Sequence, residues 1–141
     1  MSSSGEFHPF RLPVPDLWLD ILQKIKATGM NTVSVYLHWG LLNPAPDVID
    51  LKDWRAVQPL LDAAKLAGLF VILRPGPYIN AETTAGGIPH WVTSRVSGTL
   101  RTNATDFKEA WEPYLRAVAE VTVPNEITND GPIIGSNCLY I

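Results

Sequence analysis

The sequence has almost no cysteine and no strong excess of charge of either sign. Cys138 is the single cysteine among 141 residues, which excludes a disulfide or a thiolate metal cluster formed within one chain. Fourteen acidic residues against eleven Lys and Arg give a formal net charge of -3, without a run of like charges. Nucleic acids and anionic membranes are therefore not expected as partners.

Long apolar runs and an amino-terminal signal are also missing. The longest apolar runs, such as residues 69–73, fall far short of the roughly 20 residues that cross a bilayer, so no membrane span is expected. Residues 1–4 have neither the basic start nor the apolar stretch of a secretory signal. As written, the chain is expected in the cytoplasm.

The residues that are present indicate one compact globular unit, with 46% hydrophobic and 18% charged residues. A first helix is predicted from apolar residues at helical spacing: Trp18, Ile21, Leu22 and Ile25. Asp16 is expected to cap its start and Gly29 to close its end. Residues 30–37 predict a strand covered on both faces, because they are mostly apolar or β-branched.

The same order of helix and strand then repeats. A second helical stripe contains Val57, Leu60, Leu61 and Ala64, and a second fully buried strand is predicted over residues 69–73. Pro59 is expected in the first turn of this helix, with residues 53–58 as a separate or kinked piece. A third helix is predicted over 106–121 with Thr105 or Asp106 as its cap. Residues 5–12 are predicted as the first strand, and a last strand is predicted from residue 131.

This βαβαβαβ order predicts an α/β fold with a parallel sheet. The sheet can be a small open one or part of a closed eight-stranded barrel. A complete barrel needs about 250 residues, so this chain can supply only about four βα units of one. The order of elements alone leaves both architectures open.

Ligands of parallel sheets bind beyond the carboxyl ends of the strands, so the segment 74–82 after the third strand is informative. It places Tyr78, Asn80 and Glu82 close together, a phenol, an amide and a carboxylate that can bind sugar hydroxyls. An ordinary loop that bonds its own backbone explains Asn80 and Glu82 equally well. Trp39 and Trp91 can stack on a sugar, although packing is favoured for both.

Other catalytic or binding motifs are not found. His8, His38 and His90 are dispersed along the sequence, which favours polar residues at the rim of the sheet over a metal site. No phosphate-binding glycine loop and no Ser/His/Asp or Cys/His arrangement is recognisable. No cofactor is expected from these residues.

Three separated segments carry a family resemblance: GEFHPFRLP at 5–13, RPGPYINAE at 74–82 and GTLRT at 98–102. In this order and spacing they resemble the amino-terminal part of glycoside hydrolase family 35 β-galactosidases, most of all the secreted fungal type. The resemblance runs from residue 4 to about residue 134. It implies the first, incomplete portion of a (β/α)8 TIM barrel over residues 1–134, followed by a divergent tail over 135–141.

The resemblance also implies a function and a site. Members of the family remove terminal non-reducing β-D-galactose with retention of configuration and are expected outside the cell. Four positions match family residues that contact the galactose hydroxyls: Tyr36, Asn80, Ala81 and Glu82. The implied partner is therefore a galactoside, and these matches favour binding over an ordinary loop at Asn80 and Glu82.

The chain departs from the family pattern at its end. A retaining glycosidase needs two carboxyl groups about 5 to 5.5 Å apart. The family carries its acid/base in a Gln-x-Glu-Asn-Glu-Tyr segment after a Gly-Gly-Pro strand and its nucleophile on a later strand. In this chain, DGPII at 130–134 leads into GSNCLYI instead. The chain alone is therefore expected to be an inactive fragment that self-associates through exposed strand edges. The alternative is a galactoside-binding or regulatory partner of a full-length homologue.

Overall fold

The computed structural model describes residues 3–80 and 82–137. Its parallel sheet has four strands in the order in which they occur along the chain: β1 (Ser4–Glu6), β2 (Thr32–Tyr36), β3 (Phe70–Arg74) and β4 (Ile133–Ser136). Five α-helices lie between them: α1 (Trp18–Ala27), α2 (Trp39–Leu42), α3 (Gln58–Ala67), α4 (His90–Arg95) and α5 (Thr105–Thr122). The predicted α/β fold with a parallel sheet is confirmed.

Helices α1 and α3 pack against each other and against the sheet. Their apolar stripes bury Trp18, Leu22, Leu60 and Leu61 almost completely, as helical spacing predicts. Pro59 lies in the first turn of α3, where its missing N–H breaks no helical hydrogen bond.

The ends of these helices follow the prediction only in part. Gly29 and Gly68 have positive φ angles of 92° and 69°, as expected for glycines that close a helix. Asp16 does not cap α1, because it lies inside a 3₁₀ turn (Pro15–Leu17) and the N-cap residue Leu17 has no side-chain cap. The chain therefore enters α1 through this turn.

The central strands differ in how they are covered. All five residues of β2 are buried, as predicted for a strand covered on both faces. The prediction of a fully buried strand at 69–73 is wrong: Val71 and Leu73 are buried, but Phe70 is 43% exposed and Ile72 is half-buried. Alternate residues of a strand point to opposite faces, so only one face of β3 is fully covered by the described part of the chain.

Two further boundaries differ from the prediction. The first strand covers only Ser4–Glu6, and a 3₁₀ turn occupies Pro9–Arg11, because Pro9 has no N–H to continue a strand ladder. Helix α5 begins at Thr105 with Ala104 at the N-cap, so neither predicted residue caps it with its side chain. The sheet and helices bring the carboxyl ends of all four strands to one side of the molecule.

Candidate functional site

Four side chains meet where β1, β2 and β3 end, and we call them the strand-end cluster: Glu6, His8, Tyr36 and Arg74. The Arg74 guanidinium lies over the Tyr36 ring, 4.2 Å from its centroid, and its Nη1 is 3.6 Å from Glu6 Oε1. This contact reaches from β3 to β1 across the end of β2. Nε of Arg74 is buried and has no hydrogen-bond partner among the described residues.

His8 closes the cluster on the other side of Glu6. Its ring centroid is 4.5 Å from that of Tyr36, its Nδ1 accepts the Tyr36 backbone N–H at 3.4 Å, and its Nε2 is 3.7 Å from Glu6 Oε2. Burial lowers the pKa of His8 below 6.5, against the opposing effect of the Glu6 carboxylate. His8 is therefore neutral at pH 7, and its contact with Glu6 is not an ion pair there.

The loop after β3 presents the amide and the carboxylate found in the sequence. Its path contains a cis peptide bond between Gly76 and Pro77, and positive φ angles of 60° at Asn80 and 53° at Glu82. The backbone N–H of Ile79 donates to the Gly86 carbonyl at 2.8 Å, which joins the middle of the loop to the 3₁₀ turn that follows it (Thr84–Gly87). The loop thus holds two residues in conformations that are uncommon for side chains other than glycine.

Tyr78 connects this loop to the chain around it. Its hydroxyl donates to Oδ1 of Asn80 at 3.2 Å, and the Arg101 guanidinium lies 3.9 Å from its ring centroid. Below the loop, the buried Tyr114 hydroxyl of α5 donates to the Pro75 carbonyl at 2.8 Å. The 98–102 segment of the family resemblance therefore contacts the 74–82 segment through Arg101 and Tyr78.

A series of contacts joins the loop to the strand-end cluster. Glu82 is 92% exposed, and its Oε2 lies 3.7 Å from Nη2 of Arg11. The Arg11 guanidinium in turn lies 5.5 Å from the Phe10 ring centroid, and the Phe10 ring stacks on His8 at 5.8 Å. The turn after β1 is thus the bridge between the two groups.

The predicted site residues lie on the same side of the sheet but in two groups. Tyr36 belongs to the strand-end cluster and is only 9% exposed, whereas Asn80 and Glu82 are exposed on the loop. Ala81 lies outside the described residues. The Asn80 amide and the Glu82 carboxylate are thus the exposed polar groups at these positions.

The two tryptophans considered as sugar platforms are packing residues. Trp39 is fully buried, stacks on Tyr114 at 5.8 Å and donates from Nε1 to Asn43 Oδ1 at 3.0 Å. Trp91 meets it edge to face at 6.1 Å and donates to the Asn43 carbonyl. The structure thus confirms the packing that was favoured for both residues.

The sequence did not reveal Glu6, His8 and Arg74 as one group. The dispersed histidines predict a polar rim position for His8, but the structure shows it half-buried against Tyr36. His38 is also half-buried, and burial lowers its pKa below 6.5. The usable signal was position, since Glu6 and Arg74 are the last residues of their strands.

The described residues contain no group of three or more His, Cys, Asp or Glu side chains that could hold a metal ion. Of the helices in this part of the chain, none has the length and apolar character that a membrane span needs.

Solved structures share the fold. A GH5_18 structure from Streptomyces cattleya in complex with GlcNAc aligns over 96% of this chain and 33% of its own, with a TM-score of 0.69 and 20% identity. A beta-glycosidase from Pyrococcus horikoshii aligns over 87% and 26%, with a TM-score of 0.61 and 17% identity. Together with the parallel sheet, these matches define the chain as part of an α/β barrel.

The sequence comparisons give the family. The model of Glycosyl hydrolases family 35 matches residues 1–138. "Probable beta-galactosidase A" of Neosartorya fischeri is 51% identical over 95% of this chain, and "Probable beta-galactosidase B" of Sclerotinia sclerotiorum is 46% identical over 93%. The chain belongs to glycosyl hydrolase family 35. It spans 13% of the length of these two relatives.

Proposed function

We propose that this chain forms the first part of the galactose-binding face of a β-galactosidase that removes terminal non-reducing β-D-galactose with retention of configuration. The supporting observation is the polar loop at 74–82, which follows a barrel strand in a chain of family 35. The names of the fungal relatives support galactosides as the substrate class. We take residues 1–134 as the family portion and 135–141 as a divergent tail.

The proposed contacts follow from the chemistry of a sugar hydroxyl, which both donates and accepts hydrogen bonds. The exposed Glu82 carboxylate can only accept, the Asn80 amide can do both, and the Tyr36 phenol can do both. A set of this kind distinguishes hydroxyl positions, because a misplaced hydroxyl leaves a protein group without its partner. Ala81 completes the proposed set on the basis of the family resemblance.

Hydrolysis with retention needs an acid/base and a nucleophilic carboxylate on opposite sides of the scissile bond. The two carboxylates at these strand ends are in different surroundings: Glu6 lies beside Arg74, and Glu82 lies beside Arg11. We propose that neither serves as nucleophile or acid/base, and that the 141-residue chain by itself binds galactose without hydrolysing galactosides.

Calorimetric titration of the purified chain with galactose tests the binding. We expect weak binding that Asn80→Ala or Glu82→Ala weakens about fivefold or more, since each removes a hydrogen-bonding group. Asn103→Ala is the matched control, because Asn103 is an exposed loop residue outside the proposed site. Absence of binding, or equal affinities of all four proteins, would contradict the proposal.

A chromogenic β-galactoside tests the second part of the proposal. We expect no turnover above that of buffer at any protein concentration, because a retaining hydrolase needs two catalytic carboxylates and we assign neither role to Glu6 or Glu82. Turnover that disappears in the Glu6→Gln or Glu82→Gln variant would show that one of these residues is catalytic.

We further infer that the strand edges let the chain pair with a second copy or with a full-length homologue. Ile134 of β4 is 43% exposed, and the neighbouring Ile127 is 50% exposed, which leaves apolar surface beside an open strand edge. This supports the alternative function, a galactoside-binding or regulatory partner of a complete enzyme. The extracellular location expected for the family also belongs to the proposal, and secretion of the tagged gene product tests it.

A further inference from the structure

We propose that His8 is a positioning residue that holds Tyr36 in place for galactoside binding while its imidazole is neutral, and that it releases Tyr36 in acid. The inference rests on the proposed function, because it gives Tyr36 a role in binding the sugar. The geometry that supports it is the contact of His8 with both the backbone and the ring of Tyr36.

The hydrogen bond fixes the tautomer that the proposal needs. The Tyr36 backbone N–H donates to Nδ1 of His8, so this nitrogen must carry a lone pair. In the neutral ring the proton is then on Nε2, which faces Glu6 Oε2 at 3.7 Å. The His8 and Tyr36 rings are tilted by 49° at a centroid distance of 4.5 Å. One imidazole thus contacts both the backbone and the side chain of Tyr36.

A second group that packs on the Tyr36 ring is charged. The Arg74 guanidinium, 4.2 Å from the ring centroid, is held near Glu6 by the 3.6 Å contact between Nη1 and Oε1. Glu6 therefore approaches both groups that pack on Tyr36. The phenol has little freedom while all three contacts are present, which is the condition for a preorganised binding group.

The charged groups around His8 set the direction of its response to pH. Burial lowers the pKa of His8, as do the charges of Arg11 and Arg74, whereas Glu6 and a backbone hydrogen bond at Phe7 raise it. The net effect is a pKa below 6.5. As the pH falls through this lowered pKa, Nδ1 gains a proton and can no longer accept the Tyr36 N–H. The positioning contact is thus present at neutral pH and lost in acid.

The test compares galactose affinity between pH 7.5 and pH 5 in the wild type and three variants. His8→Asn keeps a short side-chain acceptor but does not titrate, and His8→Leu removes the acceptor. His90→Asn is the control, since His90 is an exposed residue of α4 outside the strand-end cluster. We expect affinity to fall about fivefold in acid for the wild type and His90→Asn. His8→Asn should show no such fall, and His8→Leu should bind weakly at both pH values.

A second measurement separates this inference from the proposed function. The amide resonance of Tyr36 in a ¹⁵N-labelled chain should shift with the titration of the His8 ring, and His8→Asn should abolish that shift. If the wild type binds galactose but His8→Asn has the same pH dependence, His8 does not position Tyr36. If no galactose binds at any pH, the proposed function fails. If the Tyr36 amide resonance also does not shift as His8 titrates, the inference about His8 fails as well.

Discussion

Gly86 packs its backbone directly against the ring of Tyr78, the residue that donates a hydrogen bond to Asn80. A Cβ atom at Gly86 would lie 2.0 Å from Cε2 of Tyr78, and the φ angle of Gly86 is 61°. Gly86→Ala must therefore displace a ring that is also held by Arg101. We expect the free energy of unfolding to fall by about 1 kcal/mol because of the positive φ, and by roughly 1–3 kcal/mol more because of the displaced ring. Urea unfolding measures the loss.

Gly29→Ala is the matched control for this substitution. Its φ angle is also positive, at 92°, but no atom lies within 4 Å of a Cβ built there. Gly29→Ala should lose only the stability that the positive φ costs and should leave galactose binding unchanged. Gly86→Ala should also weaken galactose binding through Tyr78 and Asn80. Equal loss of stability in both variants would show that the contact with Tyr78 contributes nothing.

Single residues also show which parts of the candidate site can be predicted from the sequence. Tyr78, Asn80 and Glu82 are neighbours in the sequence, so their presence on one loop can be predicted from their position after a strand. The contact between Glu6 and Arg74 joins two strands across a third. No local pattern marks such a pair, because its residues come together only when the register of the sheet is fixed.

At the level of elements, the start of α5 depends on one carboxylate. Asp106 accepts the backbone N–H groups of Ser97 at 2.9 Å, Gly98 at 2.8 Å and Phe107 at 2.9 Å. These hydrogen bonds, that of Gly98 first, lower the pKa of Asp106 below 3.8. Asp106 therefore ties the loop after α4 to the first turn of α5, although it is not the N-cap residue that the sequence suggested.

The lowered pKa predicts how Asp106 contributes to stability. A carboxyl group with a depressed pKa in the folded state stabilises the fold above its ordinary pKa of 3.8, and this contribution is lost as the pH falls through the folded-state value. Asp106→Asn should therefore lower the urea midpoint at pH 7, and the difference from wild type should shrink towards pH 3. Glu109→Gln, at an exposed position one turn further along α5, should not show this pattern. A difference in urea midpoint between Asp106→Asn and wild type that does not change with pH would mean that the ionised Asp106 carboxylate is not what stabilises the fold.

The elements with the strongest hydrophobic pattern are the ones that the sequence predicts well. Helix α3 and strand β2 bury the apolar residues on which their prediction rests, and α1 buries Trp18 and Leu22 while Ile21 and Ile25 are half-buried. Strand β1 has three residues, of which none is buried, and it is held by its pairing with β2 from Ser4↔Thr32 to Glu6↔Ser34. Backbone pairing leaves no periodic trace in the side chains, which is why residues 5–12 were predicted as one longer strand.

The whole molecule has a sheet with two outer strands, β1 and β4, in the described residues. β4 pairs with β3 on one side, and on its other side it has one isolated bridge, between Ile133 and Glu126. Beyond that bridge, Ile134, Gly135 and Ser136 are exposed. An open edge that carries an apolar side chain can pair with the edge of another chain.

We therefore expect the purified chain to self-associate in a concentration-dependent way, which sedimentation velocity can measure from micromolar protein upward. Ile134→Lys places a charge on β4 of both copies and should weaken association roughly fivefold or more, because like charges on paired strands repel. Val48→Lys is the control, since Val48 is 49% exposed and lies outside the named strands. A chain that stays monomeric at all concentrations would contradict the predicted association. Only the Ile134→Lys charge lies on β4, so equal association of the two variants would mean that the β4 edge does not drive pairing.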